Sequence, residues 1–218
     1  MKRLIHRMAK TGPDSQKFLK AEDGSTLVEF AIVTPIFFLL LFGLIDFGRL
    51  GFEYVMANKA VQLAARIAVA RPPGCPGVPT VNARGAVAVG AVPPFFGTNC
   101  RAGATVCLNP GTQTCVGLVS NATVSEIWTQ IKPLMPYNAV PANLTFSYSF
   151  NSDLGFLGGP YTPMVTVKIT NLNFNFVTPL GALAALATGD ASSLPSQLPF
   201  PTMSVSLPGE DLALGEAG

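Results

Sequence analysis

Histidine is almost missing from this chain, since His6 is the only one among 218 residues. Without imidazole groups, Ser-His-Asp, Cys-His and His-metal chemistries are excluded beyond the N-terminal segment. Charged residues are also scarce, at 12% of the chain. The sequence contains no phosphate loop, dinucleotide fingerprint or basic nucleic-acid patch. We therefore expect no catalytic residues, metal, cofactor, small-molecule substrate or nucleic-acid partner.

One apolar run dominates what the sequence does contain. Residues 30–45 carry no formal charge, and only Thr34 among them is clearly polar. With residues 27–28 and 47–48 the run reaches about 20 residues, enough to cross a hydrocarbon core of about 30 Å as a helix. The alternative is a buried helix of a soluble protein, and the length of the run argues against it.

The charges on either side of this run predict its orientation. Residues 1–24 contain six basic and three acidic side chains, a net charge of +3. From residue 72 onward there are four basic and six acidic side chains, a net charge of −2. Because the basic side of a membrane helix faces the cytoplasm, we expect a cytoplasmic N-terminus and an exported C-terminal part.

A glycine precedes the run, and an acid follows that glycine five residues later. Glu29 is costly at the mouth of a membrane helix, which makes it a candidate functional residue. The Gly24–Glu29 spacing resembles the processing site of type IV prepilins, in which a membrane peptidase cuts after the glycine. The resemblance implies a cut between Gly24 and Ser25. Glu29 would then pair with the new N-terminal amine of a neighbouring subunit.

A longer match extends through the apolar run. An EFA…P motif opens it, an acid-Phe-Gly-Arg motif closes it, and an Ala/Arg-rich stretch follows at residues 58–68. This order, over residues 24–71, resembles the TadE-like family of tight-adherence pilus assembly proteins. The motif residues are Glu29, Phe30, Pro35, Asp46, Phe47, Gly48 and Arg49.

The resemblance implies a pseudopilin or minor pilin of the bacterial inner membrane, with its C-terminal part in the periplasm. The implied partners are a prepilin peptidase, the inner-membrane pilus platform, other pilins and sibling TadE-like proteins. Whether the protein enters an extracellular pilus or stays at its base is left open. The alternative is an uncleaved, signal-anchored periplasmic protein that binds an envelope component. An enzyme has little support, because no catalytic constellation occurs.

The predicted fold class is α+β, in five segments. These are a cytoplasmic leader (1–24), a transmembrane helix (25–48), a periplasmic helical extension (49–71), a cysteine-containing loop region (72–118) and a small α+β domain (119–218). We expect a helix from Thr26 to Ala70, because residues 71–73 read Arg-Pro-Pro and stop it. The small residues of its second half form a close-packing face, which fits either the protein's own C-terminal domain or a neighbouring subunit.

All four cysteines lie within residues 72–118, on the side that we expect to be oxidising. Cys75, Cys100, Cys107 and Cys115 allow three pairings. The prediction is sequential pairing, Cys75–Cys100 and Cys107–Cys115, because it closes the shortest loops. A zinc site is the rival, but the spacings lack a C-x-x-C pair. Residues 82–92 are a candidate short helix, weakened by two glycines.

The C-terminal part alternates helix and strand signals. Thr123 and Glu126 have capping-box spacing, and Ile127, Trp128, Ile131 and Leu134 would form one face of a helix that covers a sheet. Trp128 is expected to anchor the core rather than to stack on a ligand. Period-two alternation predicts antiparallel strands at 144–150, 164–170 and 202–207, with 171–177 extending the second or adding another. Residues 180–186 suit a short helix or an apolar loop against membrane or partner.

Overall fold

A computed structural model describes residues 23–183, 197–210 and 212–213. It has the predicted α+β class, with a long helix, an antiparallel sheet, a second helix and two disulfides. The chain divides into two compact units. The described residues of the first are 23–46 and 177–183, and those of the second are 47–176, 197–210 and 212–213.

Helix α1 runs from Asp23 to Val69 without a break. Its 47 residues give a length of about 70 Å at 1.5 Å per residue. The helix ends just before the Arg-Pro-Pro sequence, as predicted, because a proline cannot continue the hydrogen-bond ladder. The stretch Thr26–Val69 includes an 18-residue window apolar enough to cross a membrane, and none of that window is buried. The structure therefore does not show the buried helix that was the alternative.

The sheet of the second unit has four antiparallel strands. Strand β1 (Thr112–Val116) pairs with β2 (Leu144–Ser149), β2 with β3 (Met164–Ile169), and β3 with β6 (Met203–Pro208). A separate two-stranded sheet joins β4 (Asn173–Asn175) to β5 (Gln197–Pro199). The strands predicted at 144–150, 164–170 and 202–207 are confirmed to within one residue at each end, and β4 is the additional strand foreseen within 171–177.

The C-terminal half of α1 packs on this sheet through its small residues. Ala60, Val61, Ala64, Ala65 and Ala68 are fully buried, in one core with Phe146 and Tyr148 of β2 and with Val165 and Val167 of β3. Small side chains let a helix backbone approach a sheet closely. Of the two predicted uses of this face, the structure shows packing on the protein's own domain.

Helix α2, from Ala122 to Ile131, covers the same core with its apolar face. Ile127 and Ile131 are fully buried, and Trp128 packs at the edge of the cluster, half-buried. The predicted capping box is wrong. Asn121 is the N-cap, and its side chain accepts a hydrogen bond from the Val124 N–H at 3.1 Å. Asparagine competes well with threonine for this position, and it lies two residues earlier.

Residues 72–118 differ from the sequence prediction in two respects. Strand β1 lies here and forms one edge of the sheet. Residues 82–92 form no helix, so that prediction is wrong. At Gly85 an added Cβ would lie 2.3 Å from the Thr105 carbonyl oxygen. The backbone of Gly85 therefore packs closely against that of Thr105 and does not form a helix.

The sequential disulfide pairing is also wrong. The structure joins Cys75 to Cys115 and Cys100 to Cys107. Cys75 follows α1 into the main core, where the edge strand β1 presents Cys115. Cys100 and Cys107 instead form a second small core with Val106 and Leu157. The burial of Cys75 in the main core, and not loop length, decides the pairing.

Tyr148 provides a test of this core. Its hydroxyl is buried and accepts a hydrogen bond from the Gly74 N–H at 2.8 Å. We expect Tyr148→Phe to lower the free energy of unfolding by about 1 kcal/mol, because the Gly74 N–H is left unsatisfied. Denaturant titration of the full chain in detergent, followed by fluorescence of the single tryptophan, measures the change. An unchanged midpoint would contradict this.

The same residue predicts a dependence on alkaline pH. Burial raises the pKa of Tyr148 above its ordinary value of 10.0, although the Gly74 N–H opposes the shift. Burial also raises the pKa of Tyr161. Above pH 10 the unfolded chain therefore loses these protons first, and stability should fall as the pH rises. Tyr148→Phe should make this fall shallower, with the contribution of Tyr161 remaining, whereas an equal slope in both proteins would refute the assignment.

Candidate processing and assembly site on helix α1

The candidate cleavage site lies at the start of helix α1. Gly24 is exposed in the first turn, and an added Cβ would meet no atom within 4 Å. Residues 1–22, which include most of the predicted leader, lie outside the described residues, as does the side chain of Ser25. The structure thus leaves Gly24 accessible at the start of the helix.

Glu29 and Phe30 follow on an exposed apolar surface. Both side chains are exposed, Phe30 at 71%. Within the described part of the chain, Glu29 has no ion-pair partner. Its neighbours Leu27, Val28 and Ile32 are apolar and exposed as well. A carboxylate in such surroundings is costly in a membrane unless a charge from elsewhere meets it.

Pro35 lies inside helix α1 and does not end it. The Thr34 hydroxyl donates to the Phe30 carbonyl at 2.7 Å, one turn back. Proline lacks the N–H that the Ala31 carbonyl would otherwise receive. The Thr34 hydroxyl therefore adds a hydrogen bond to the carbonyl that precedes the freed one, and the hydroxyl is itself paired within the apolar segment.

At the other end of the apolar run, Asp46 is fully buried. Its carboxylate accepts hydrogen bonds from the Val177 and Thr178 N–H groups, both at 3.2 Å, and from the Thr178 hydroxyl. All these residues belong to the first unit. Three donors satisfy a carboxylate that would be expensive to bury alone. Asp46 therefore ties a segment more than 130 residues away to the helix.

The next two motif residues have different surroundings. Phe47 is exposed at 57%, and its ring meets the Phe176 ring edge-on, with centroids 6.3 Å apart. Gly48 is exposed, with open space where a Cβ would stand. No backbone constraint in the described structure requires glycine at this position, so its role in the motif is not explained by packing within the chain.

Arg49 closes the motif within the second unit. Its Nε donates to Glu53 Oε1 at 2.8 Å, one turn along the helix. Its guanidinium carbon lies 4.9 Å from the centre of the Phe174 ring. A cation on an aromatic face is stabilised when water is scarce. The buried Nη1 of Arg49 has no hydrogen-bond partner in the part of the chain that the structure describes.

Sequence reasoning identified Asp46 and Arg49 but none of their partners. Glu53 was recognisable, since an i,i+4 acid is a common partner on a helix. Phe174, Val177 and Thr178 carried no signal, because nothing in one sequence links positions so far apart. Among the described residues no group of three or more His, Cys, Asp and Glu side chains could hold a metal ion.

Comparison with known proteins gives a match that lies on helix α1. Residues 24–66 match the family model described as TadE-like protein, which is 43 of the 218 residues. No curated protein and no solved structure matches the chain. The matched stretch coincides with the exposed apolar helix, and together they support a pilus-related membrane protein.

Proposed function

We propose that this chain is a pseudopilin or minor pilin that acts in the assembly of a tight-adherence pilus. The premise is the match of residues 24–66 to the TadE-like model. The observation that carries the proposal is the order of features on α1. An exposed glycine opens the helix, an exposed acid follows in apolar surroundings, and an uninterrupted apolar surface comes next. A plain membrane anchor requires neither the glycine nor the acid.

The proposed mechanism begins with removal of the leader. A prepilin peptidase cuts between Gly24 and Ser25, and the mature chain starts with a free amine at Ser25. Helices α1 of neighbouring subunits then pack side by side in the membrane. Glu29 of one subunit receives the positive amine of the next, which removes the cost of two isolated charges in lipid. Exposure of Glu29 on the helix surface supports this step.

The proposed orientation follows from the charge asymmetry. The basic leader stays in the cytoplasm, and the chain from residue 49 onward is on the periplasmic side. Two disulfides in the second unit fit an oxidising compartment. The segment limits 1–24, 25–48, 49–71, 72–118 and 119–218 belong to the same proposal. The role is structural rather than catalytic, and the partners are the peptidase, other pilins and the inner-membrane platform.

The first test is the intact mass of the protein from membranes of cells with and without the prepilin peptidase. We expect a chain that starts at Ser25 only when the peptidase is present. The matched control is the same chain with the peptidase supplied again from a plasmid, which should restore the shorter mass. A chain that starts at Met1 in both cells would contradict the proposal.

A second function has one observation in its favour. Residues Val89, Val92, Phe95 and Phe96 of the second unit are each at least 73% exposed, in a loop without acidic residues. Contiguous exposed apolar residues are typical of interaction surfaces. An uncleaved, signal-anchored protein that binds an envelope component would use such a loop. The mass measurement separates the two functions, because only the pilin route requires the cut.

A further inference from the structure

We propose that residues 177–183 form a second membrane contact, inserted among the lipid chains of the leaflet at the Asp46 end of the apolar helix. The inference rests on the proposed function in one respect, that α1 spans a bilayer. It adds a lipid-binding element that lies far from the helix in sequence. Both segments belong to the first unit.

The segment is fastened to the helix by a polar clamp. Asp46 accepts three hydrogen bonds from Val177 and Thr178, and its side chain is fully buried. Backbone N–H groups that enter lipid must be satisfied by the protein, because no water is available there. The clamp supplies an acceptor for two of them at the point where the chain would meet the hydrocarbon.

The position of Leu180 indicates how deeply the segment reaches into the membrane. Leu180 is buried, and its Cδ1 lies 4.0 Å from where a Cβ on Gly43 would stand. Gly43 is three residues before Asp46 and five before Gly48, at which the predicted span ends. At 1.5 Å per residue, Leu180 is therefore about 7.5 Å inside that end of the span. At this level the helix itself still exposes Leu44 and Ile45.

The composition of the segment suits lipid chains. Residues 177–183 read Val-Thr-Pro-Leu-Gly-Ala-Leu and carry no charge. The Thr178 N–H and hydroxyl are both bonded to Asp46, and the Leu183 N–H donates to the Pro179 carbonyl at 3.0 Å. Val177 and Ala182 remain exposed. An uncharged segment whose exposed side chains at Val177 and Ala182 are apolar, beside an apolar helix surface, gains free energy when acyl chains replace water around it.

The test places a tryptophan on the segment. In the full chain with Trp128→Phe, Ala182→Trp is reconstituted in phosphatidylcholine vesicles, with and without bromine on the acyl chains. Leu44→Trp is the matched control in the span, and Val119→Trp is the control on the second unit. We expect bromine to quench the residue-182 fluorescence as strongly as that of the residue-44 tryptophan, with blue-shifted emission, and to leave the residue-119 signal unchanged.

The outcomes are separable. Quenching at residue 44 but not at residue 182 overturns the inference. This holds if the residue-182 emission is red-shifted, which indicates water around the tryptophan, and equally if it is blue-shifted, which indicates contact with another part of the protein. No quenching at residue 44 means that α1 does not span, which refutes the proposed function itself. Adding Asp46→Ala should abolish quenching at residue 182 and preserve it at residue 44. Quenching at residue 182 that survives Asp46→Ala overturns the role of the clamp.

Discussion

Replacing Gly24 with arginine is expected to stop maturation completely, so that only the precursor starting at Met1 accumulates. A peptidase cleft that accepts glycine holds an extended backbone without a side chain, and arginine does not fit there. The fold of the protein gives no competing explanation. An added Cβ at position 24 would meet no atom within 4 Å, so we expect the variant to insert and fold normally.

The measurement is the intact mass from membranes that contain the peptidase. Gly51→Arg is the matched control, because position 51 lies on the same helix with the same open space, far from the cut. It should mature to a chain that starts at Ser25. Normal maturation of Gly24→Arg would eliminate the proposed cut, whereas a block in both variants would indicate a general loss of the protein.

The second large effect is expected at the disulfide that reaches the main core. Cys75 and Cys115 are 40 residues apart, and closing a loop of that length stabilises the folded chain by about 4 kcal/mol. The Cys100–Cys107 loop, with a separation of 7, contributes about 2.5 kcal/mol by the same relation. Cys75→Ala with Cys115→Ala should therefore destabilise more than Cys100→Ala with Cys107→Ala.

Denaturant titration of the full chain in detergent gives both values. Trp128, the only tryptophan, packs against the main core and reports its unfolding. Each double variant loses one disulfide, so each serves as the control for the other. Equal losses in the two proteins would show that loop length does not determine the difference. A larger loss from the Cys100 and Cys107 replacements would reverse the assignment.

Much of the fold was predictable because its signals are local. The helix limits follow from an uninterrupted apolar stretch and from the prolines after Arg71. Strands β2, β3 and β6 follow from alternation with period two, which reports burial on one face. Packing of Ala64 and Ala68 on the protein's own domain was one of two predicted alternatives. A small-residue face packs equally well on a sheet or on another helix, and sequence does not say which partner is present.

The wrong predictions concern features that are determined by contacts absent from the local sequence. Strand β1 reads Thr-Gln-Thr-Cys-Val, with little apolar alternation, and exists because β2 offers it an edge. The disulfide pairing depends on which cysteine the main core holds. Asn121, and not Thr123, caps helix α2, because the backbone geometry determines where the helix begins.

The candidate site divides in the same way. Gly24, Glu29 and the closing motif are recognisable as a pattern, and the structure gives Glu29 an exposed position. The partners of Asp46 come from a segment whose sequence carries no mark of that role. Cleavage and subunit pairing require molecules other than this chain, and they remain proposals for the experiments above.

For the export proposed above, the order of the strands has a consequence for timing. Strand β6 is the last of the strands in the described residues, yet it pairs with the whole length of β3, and the Glu210 N–H beyond it bonds to the Val69 carbonyl at the end of α1. Until residue 208 has crossed, β3 therefore presents an open edge, which invites pairing with other chains. Slow translocation would prolong that exposure. We expect the cell to favour rapid passage, or a chaperone that covers the edge.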